Sequence, residues 1–191
     1  MKKNLLISIW FTLATTVLLG IGYPLLVTGI AQLLFPRQAN GELINSGGKL
    51  VGSRLIGQPF TAPGYFFSRP SAAGAAGYDP TASGGSNLGP TNKMLTDRVA
   101  GSVKSLQPTN PNVAIPADLA TTSASGLDPD ITPAAAAFQV PRIALERHMS
   151  EQDVLALVQK HTLGRQFGFL GEPRVNVLEL NLDLDASHPM H

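Results

Sequence analysis

Hydrophobic residues are distributed very unevenly along this chain. From Asn4 to Pro36 the only ionisable side chain is Tyr23, and Leu, Ile, Val and Phe dominate the run. A helix needs about 20 such residues to cross the hydrocarbon core of a bilayer. Because the run exceeds that length, residues 1–36 are predicted to form a short cytoplasmic N-terminus and one transmembrane helix. Pro24 is expected to kink this helix or to mark its outer third.

Beyond this run, apolar residues occur in short patterned groups separated by Gly, Pro and Ser. The pattern in residues 41–60 predicts one or two strands with turns. Residues 61–92 are predicted to lack regular structure, and a segment of that length inside a compact domain usually has a function. Residues 91–107 predict a helix that Pro108 ends. Residues 112–128 are expected to include a short strand or edge segment. The predicted inward face of the first helix consists of Met94, Leu95, Val99, Val103 and Leu106.

Two further helices are predicted in the last third of the chain. Thr132 before Pro133 combines an N-cap residue with proline at the first helical position, and the helix should continue until Pro141 breaks or bends it. A second helix should begin after Ser150 and stop near Gly164. Its inward residues are predicted to be Val154, Leu155, Leu157 and Val158.

The last pattern covers residues 175–184, "VNVLELNLDL", in which the apolar side chains face largely one way. We interpret it as a half-buried strand with a solvated acidic edge formed by Glu179, Asp183 and Asp185. The mixture of elements predicts an α+β fold, with residues 37–191 forming one compact, loop-rich domain outside the cytoplasm.

Charges at the two ends of the apolar run predict its orientation. Lys2 and Lys3 precede it, while Arg37 is the only charge that follows before Glu42. The positive-inside rule therefore places the N-terminus in the cytoplasm and the domain outside. A cleaved signal peptide is the alternative, since "GIA" before Gln32 offers small residues, but its apolar region is usually only about 7–15 residues long.

Small residues in the membrane run favour close packing against another helix. Glycine and threonine are also simply common in membrane spans, and this explanation stays open. The candidate packing positions are Gly20, Gly22, Pro24 and Gly29.

Overall composition excludes several classes of site. A net charge of +1 without basic blocks gives no electrostatic footprint for nucleic acid. The absence of cysteine excludes disulfides and thiolate metal sites. Asp128 and Asp130 lack the remaining ligands of a calcium loop and are expected to cap the local backbone. The histidines do not show metal-ligand spacing, and no serine lies in a nucleophile elbow, so neither a metal site nor catalytic residues are predicted.

The glycine-rich stretch "YDPTASGGSNLG", residues 78–89, suggests anion binding at first sight. A Walker A loop would require a Lys directly after its last glycine, whereas Lys93 comes much later. Gly84 and Gly85 are instead expected to permit positive φ in a tight turn, with Ser83, Ser86 and Asn87 bonding the local backbone. This stretch is interpreted as a rigid binding loop.

Seven segments point to a known family. In order, they are "GYPLL" (22–26), "RQANGELI" (37–44), "GSRLIGQPF" (52–60), "FFSRPSA" (66–72), "YDPTASGGSNLGPTN" (78–92), "SASGLDPDITPAAAAFQVPRIA" (123–144) and "NVLELNLDLD" (176–185). Together they resemble the C subunit of the bacterial Kdp potassium-transporting P-type ATPase, the KdpC family. The resemblance covers nearly the whole chain. It departs at Ser68, where the family often has glycine.

This resemblance implies an accessory, non-catalytic subunit of an ATP-driven, high-affinity potassium uptake complex in the bacterial inner membrane. The implied partners are a channel-like potassium-binding subunit, the catalytic P-type ATPase subunit and a small single-span subunit, together with membrane lipid. The implied role is to assist assembly and to raise the ATP affinity of the catalytic subunit, and the family is described as ATP-binding.

ATP and Mg²⁺ would then act at the catalytic subunit, and no cofactor is expected to bind this chain directly. A loop outside the membrane cannot touch cytosolic ATP, so an effect on ATP affinity would be a coupling free energy between separate sites.

Aromatic residues and Arg are typical interface anchors, so we expect the loops from residue 65 to 87 and the helix around residue 139 to dock on the channel-like subunit. The candidate interface residues are Tyr65, Phe67, Arg69, Ser83, Gly84, Gly85, Asn87, Gln139 and Arg142. The alternative from another class is a free-standing, membrane-anchored periplasmic enzyme.

Overall fold

A computed structural model describes residues 2–190 as a mixture of helices and short strands. One N-terminal apolar helix precedes a compact domain, so the predicted α+β class is confirmed. The chain divides into one unit up to Val51 and another from Gly52 onward. The domain boundary at residue 36, where the apolar run ends, stays a prediction.

The N-terminal helix is continuous from Lys2 to Leu34 and has three parts. These are α1 (Lys2–Thr15), a π-helical stretch (Thr16–Gly22) and α2 (Tyr23–Leu34). Its 33 residues extend about 50 Å, which exceeds the thickness of a hydrocarbon core of about 30 Å. None of these 33 residues is buried, as expected for a helix surrounded by lipid or by partners.

A short reversal follows the end of this helix. The helical turn α3 (Pro36–Ala39) brings Asn40 back to Gln32, and the two side-chain amides bond each other reciprocally at 3.3 and 3.1 Å. The strands β1 (Leu43–Ser46) and β2 (Lys49–Ser53) then pair through Gly47 and Gly48. Both glycines have positive φ, the conformation that a two-residue hairpin turn of this hand requires. The predicted strands in residues 41–60 are confirmed.

Within residues 54–190, the second unit contains five α-helices and three short strands. In chain order they are α4 (Lys93–Leu106), α5 (Ala117–Ala120), β3 (Asp130–Ile131), α6 (Pro133–Arg147), α7 (Glu151–Lys160), β4 (Thr162–Leu163), β5 (Arg174–Asn176) and α8 (Val177–Ser187). The sheet has the order β3-β5-β4, both pairs are antiparallel, and Val175 of the central strand lies opposite Ile131 and Thr162. This sheet and the helices α6, α7 and α8 enclose the core.

The predicted helix starts are confirmed by their caps. The Thr132 hydroxyl accepts from the Ala135 N–H at 3.0 Å, and the Ser150 hydroxyl accepts from the Asp153 N–H at 3.1 Å. Residues 54–92 contain no helix or strand within the described chain, as predicted for residues 61–92. Local capping chemistry therefore determined these starts, because each cap satisfies an N–H group that the first helical turn leaves free.

The predicted strand over residues 175–184 is wrong. The strand β5 ends at Asn176, and residues 177–187 form the helix α8. The Asn176 side chain accepts from the Glu179 N–H at 3.1 Å, which starts the helix at that point. Val177, Leu180 and Leu184 are buried at helical spacing. The missed signal was an N-cap residue followed three positions later by Glu.

The predicted solvated acidic edge is wrong for the same reason. On α8 each of the three carboxylates has a basic partner: Glu179 pairs with Arg54 at 2.9 Å, Asp183 with Lys160 at 2.7 Å, and Asp185 with Arg147 at 2.8 Å. These acidic residues therefore connect α8 to other parts of the domain.

Four smaller predictions are also corrected. Pro141 does not break α6, because burial of Val140 and Ile143 on either side holds the helix together. Within residues 112–128, the helical turn α5 replaces the expected strand, with Leu119 buried. No residue of α4 is buried, and of its predicted inward face only Leu106 packs on the core. In α7, Leu155 is exposed although Val154 and Val158 are buried.

Candidate functional site

The segment 63–67 is a loop that begins with a turn at Pro63 and Gly64, and its backbone bonds side chains of α6 and α8 instead of a strand. Asn181, only 1% exposed, accepts from the Phe66 N–H at 2.8 Å and donates to the Phe66 carbonyl at 3.0 Å. Gln139 does the same for Phe67 at 2.8 and 3.1 Å. Each amide thus provides the acceptor and donor that a neighbouring strand would offer. Between them, the Phe66 ring is fully buried in the core.

Arg142 extends this arrangement from the next turn of α6. Its guanidinium donates to the carbonyls of Pro63 and Tyr65, the latter at 3.0 Å, and to Gln139 Oε1 at 2.8 Å. The same group lies 4.0 Å from the centre of the Phe67 ring. Burial lowers the pKa of Arg142 to about 10, although the Glu146 carboxylate opposes this shift. Arg142 therefore remains a cation at neutral pH while it holds the segment.

Tyr65 lies at the other edge of the segment, against Arg147 and Asp185. Its hydroxyl donates to Asp185 Oδ2 at 2.8 Å, and the Arg147 guanidinium lies 4.8 Å from its ring centre. Arg147 also donates to the Gly64 carbonyl at 2.6 Å and pairs with Asp185 at 2.8 Å. Burial, followed by the hydrogen bond to Asp185, raises the pKa of Tyr65, so the phenol stays a neutral donor.

Arg69 connects the loop that follows residue 67 to residues 122–128, which precede β3. It forms an ion pair with Asp128 at 3.1 Å and donates to the Thr122 carbonyl at 3.4 Å. The Tyr78 hydroxyl donates to the Arg69 carbonyl, and burial raises the pKa of Tyr78. Asp128 also accepts locally from the Asp130 N–H at 3.1 Å, which agrees with the expected capping role.

The loop at residues 83–87 packs against residues 123–126 and not on itself. The Ser83 hydroxyl and the Gly84 N–H both donate to the Ser125 carbonyl, at 3.2 and 2.8 Å. The prediction of positive φ at Gly84 and Gly85 is wrong, since neither adopts it, whereas Asn87 does. Gly85 allows a close approach of two backbones, since a Cβ there would lie only 3.0 Å from the Ala124 carbonyl oxygen.

The structure therefore brings some candidate residues together and separates others. Phe67, Gln139 and Arg142 form one contiguous group, and Tyr65 bonds to it through its carbonyl. A groove of about 410 Å³ runs beside this group, lined by Phe60, Phe67, Arg69, Tyr78, Leu106 and Leu119 among others. Within residues 2–190, no group of three or more His, Asp or Glu side chains could hold a metal ion.

In the membrane helix, the candidate packing positions lie at and after the π-helical stretch. Gly20 and Gly22 belong to it, and the Tyr23 N–H bonds the Leu18 carbonyl, five residues back. Pro24 follows at the start of α2 and has no N–H to donate. A Cβ added at Gly29 would meet no atom within 4 Å beyond the adjacent backbone of its own helix. The helix thus has open space where a neighbouring helix could approach.

Sequence reasoning missed an aromatic loop tip between β4 and β5. Phe167 is 87% exposed and Phe169 is 69% exposed, and neither lies in a periodic pattern that would mark it. The available signal was the stretch "FGFLG" (167–171), in which two phenylalanines are separated by a single glycine within a polar connection.

Comparisons with known proteins agree on one family. The model of the KdpC family, described as "K+-transporting ATPase, c chain", matches residues 5–186. Three relatives are each described as a potassium-transporting ATPase KdpC subunit. The protein of Koribacter versatilis is 63% identical over 190 residues (100% of this chain and 98% of that protein). The Acidobacterium capsulatum protein is 55% identical over 186 residues (97% and 100%), and that of Caulobacter vibrioides NA1000 58% over 175 residues (91% and 88%).

Proposed function

Because the chain belongs to the KdpC family of potassium-transporting ATPase subunits, we propose that it is an accessory subunit of an ATP-driven, high-affinity potassium uptake complex. Its relatives are named as the KdpC subunit, not as the catalytic one. The observation that carries the proposal is the family match over residues 5–186. The alternative, a free-standing anchored enzyme, is not favoured.

Co-purification tests this proposal directly. After mild detergent extraction, the tagged chain should migrate with a channel-like subunit, a P-type ATPase subunit and a small single-span subunit. A chain that migrates alone at 20.1 kDa would contradict the proposal. Extraction in a harsh, dissociating detergent is the control, since it should release the chain as a monomer.

The orientation that we propose places the N-terminus in the cytoplasm of a bacterial cell and the second unit outside the inner membrane. Lys2 and Lys3 before the apolar helix support it. Because the chain has no cysteine, Asn112→Cys and Asn4→Cys give two single labelling sites that keep both lysines and lie outside the candidate docking residues. In intact spheroplasts a membrane-impermeant thiol reagent should label position 112 and spare position 4, and lysis should expose both. The reverse pattern would invert the orientation.

The docking surface that we propose includes Tyr65, Phe67, Arg69 and Arg142, together with the loop at residues 83–87. Gln139 is only 2% exposed, so it lies beneath this surface and holds Phe67 in place. The groove beside Phe67 and the cation of Arg142 support it, since aromatic residues and Arg are enriched in interfaces. The partner would be the channel-like, potassium-binding subunit. The docked domain would stabilise the potassium entrance of that subunit or partly cover it.

The internal bonds of these residues determine how the surface is tested. Alanine at Gln139 or Arg142 would remove hydrogen bonds that hold residues 63–67. A loss of docking could then not be distinguished from a loss of folding. The double variant Ser83→Ala with Asn87→Gly removes exposed side chains and tolerates the positive φ at position 87. The Ser125 carbonyl loses the exposed bond from Ser83 but keeps the Gly84 N–H at 2.8 Å. We expect weaker co-purification with an unchanged denaturation midpoint. Full recovery with normal transport would remove these two residues from the interface.

Packing of the membrane helix against a partner is tested at Gly29. A Cβ there would meet no atom within 4 Å beyond the adjacent backbone of its own helix, and no residue of α2 is buried, so added bulk should act mainly on neighbours outside this chain. We expect Gly29→Leu to reduce recovery of the complex by roughly tenfold, because small residues allow helices to approach closely in lipid. Leu33→Phe, at another exposed position of the helix, is the control for added bulk.

We also propose that this subunit assists assembly and raises the ATP affinity of the catalytic subunit. ATP and Mg²⁺ would act there, and the effect would be transmitted between subunits as a coupling free energy. The test is the KM for ATP of complexes purified with and without this chain. Such couplings typically change affinity by roughly 5- to 150-fold, and an unchanged KM would limit the role to assembly.

A further inference from the structure

The connection between β4 and β5 carries a rigid aromatic tip that none of the functions above uses. Gln166 and Leu170 face each other across an isolated bridge, and each donates its N–H to the other's carbonyl at 2.9 Å. The Gly168 N–H donates to the Arg165 carbonyl at 3.2 Å. The Arg165 guanidinium forms an ion pair with Glu172 at 2.6 Å across the base of the loop. The tip thus has a fixed backbone.

Both phenylalanines at this tip point away from their own domain. Phe167 is 87% exposed and Phe169 is 69% exposed, so their rings gain little from folding. Phe167 also has a φ of 52°, a left-handed conformation that is strained for a bulky residue. An exposed aromatic residue in a strained conformation suggests that the strain serves an interaction outside this chain.

The shape of the tip favours one kind of occupant. Each phenylalanine can bury about 150–250 Å², so two tips meeting would fall well short of the roughly 800 Å² per partner of a stable interface. A fluid bilayer accepts an aromatic ring in any orientation and gains nothing from a fixed backbone. A protein pocket does require fixed geometry, and pre-organisation lowers the entropy lost on binding.

We propose that Phe167 and Phe169 form an aromatic anchor that inserts into an apolar pocket on another subunit of the potassium-transporting complex. This inference rests on the proposed function, namely that the chain works within such a complex. The anchor is separate from the docking surface around Phe67, because Phe167 and Phe169 make none of the contacts that hold residues 63–67.

Site-specific photocrosslinking in the complete complex tests the anchor. A benzophenone derivative of phenylalanine at position 167 preserves the ring, and irradiation of membranes should couple it to another protein subunit. The same photoreactive residue at Leu145, which is 74% exposed on α6, is the matched control. We expect roughly tenfold more protein adduct from position 167 than from position 145, as for a buried hot spot compared with a free surface.

The remaining outcomes separate the anchor from the proposed function. Adducts only to lipid, adducts only to a second copy of this chain, or equal adducts from positions 167 and 145 would overturn the anchor while the chain still co-purifies with its complex. Failure of the unmodified chain to co-purify would instead contradict the proposed function and the anchor with it.

A glycine substitution provides an independent measurement. Phe167→Gly removes the ring and relieves the left-handed strain, so the denaturation midpoint should stay equal or rise. Recovery of the chain with its complex should nevertheless fall by roughly tenfold. A purely structural role would not combine equal or greater stability with weaker assembly, and unchanged recovery would overturn the anchor.

Discussion

In the helix from Lys2 to Leu34, the backbone bonds within the helix and no residue is buried. In residues 63–67 the backbone is bonded instead by the side chains of α6 and α8. The first arrangement suits lipid, where every N–H and C=O must find a partner within its own segment. The arrangement around residues 63–67 places polar side chains such as Asn181 in the centre of the core. These side chains supply the hydrogen bonds that a neighbouring strand would otherwise make to the backbone.

The difference determines where each region is sensitive to substitution. A side chain of the apolar helix contacts little of its own chain, so its replacement should affect partners or lipid and leave the second unit intact. By contrast, the side chains of Asn181 and Gln139 each bond one N–H and one C=O of residues 63–67. The loss of either side chain leaves these two backbone groups without their hydrogen-bond partners. Four substitutions test this contrast, and their effects are expected to decrease in the order given.

Asn181→Leu should have the largest effect. It leaves the N–H and C=O of buried Phe66 unpaired, and we expect a loss of about 3 kcal/mol in the free energy of unfolding. The measurement is a guanidinium titration of the full chain in detergent, followed by near-ultraviolet circular dichroism of the tyrosines. Asn112→Ala, at an exposed position, should change stability by less than about 0.5 kcal/mol. Equal effects of the two would refute the bonding role of Asn181.

Gly126→Ala should have the second largest effect on stability. It tests a close approach of two backbones, whereas Asn181→Leu tests hydrogen bonding by a side chain. Gly126 has a φ of +67°, and a Cβ there would lie 2.7 Å from the Ala73 nitrogen and the Gly84 oxygen. We expect a loss of about 2 kcal/mol in the same titration. Gly101→Ala in α4 meets open space and should be neutral or stabilising by up to about 1 kcal/mol.

Asp183→Asn should have a smaller effect that depends on pH. Hydrogen bonds from Lys160 and then His161 lower the pKa of Asp183 below its ordinary 3.8. Its contribution is therefore complete above about pH 4 and is lost as the pH falls through the lowered pKa. We expect at most about 1 kcal/mol at pH 7, since the pair is partly exposed.

The pH dependence of this variant has its own control. The difference in stability between the wild type and Asp183→Asn should shrink as the pH falls below 4. Lys160→Gln removes one partner of Asp183 and should reduce the same pH-dependent difference. A difference that grows in acid would contradict the direction of the pKa shift.

Leu13→Ala in the apolar helix should have the smallest effect. Leu13 is exposed, so unfolding of the second unit should change by less than about 0.5 kcal/mol. The buried counterpart, Leu180→Ala, should cost about 2–5 kcal/mol in the same experiment. Comparable losses from the two would show that the apolar helix is needed for the fold of the second unit.

Sequence patterns predicted the features that depend on local chemistry. The apolar helix follows from its length, the starts at Thr132 and Ser150 follow from N-cap residues, and the strands within residues 41–60 follow from short apolar runs mixed with glycine. The helix α8 was missed because five apolar residues resemble a strand over a short stretch, although Asn176 and Glu179 carried the correct signal. Caps were thus more informative than periodicity over short segments.

The arrangement around residues 63–67 could not be predicted from the sequence. The aromatic and arginine residues at 65, 67 and 142 were selected as interface candidates, and nothing local indicated that they also bond one another. Gln139 and Phe67 lie 72 residues apart, and no pattern within either segment encodes their pairing. The part of a candidate site that depends on such distant contacts requires the three-dimensional structure.

The bond between Phe66 and Asn181 also sets an order of events during biosynthesis. The two residues are 115 positions apart, so at about 5–20 residues per second the ribosome needs roughly 6–23 s to make the second after the first. Throughout that interval the early loop has no partner for its buried ring and amides. The nascent domain must therefore wait, open and vulnerable to proteases or chaperones, until its closing helix arrives.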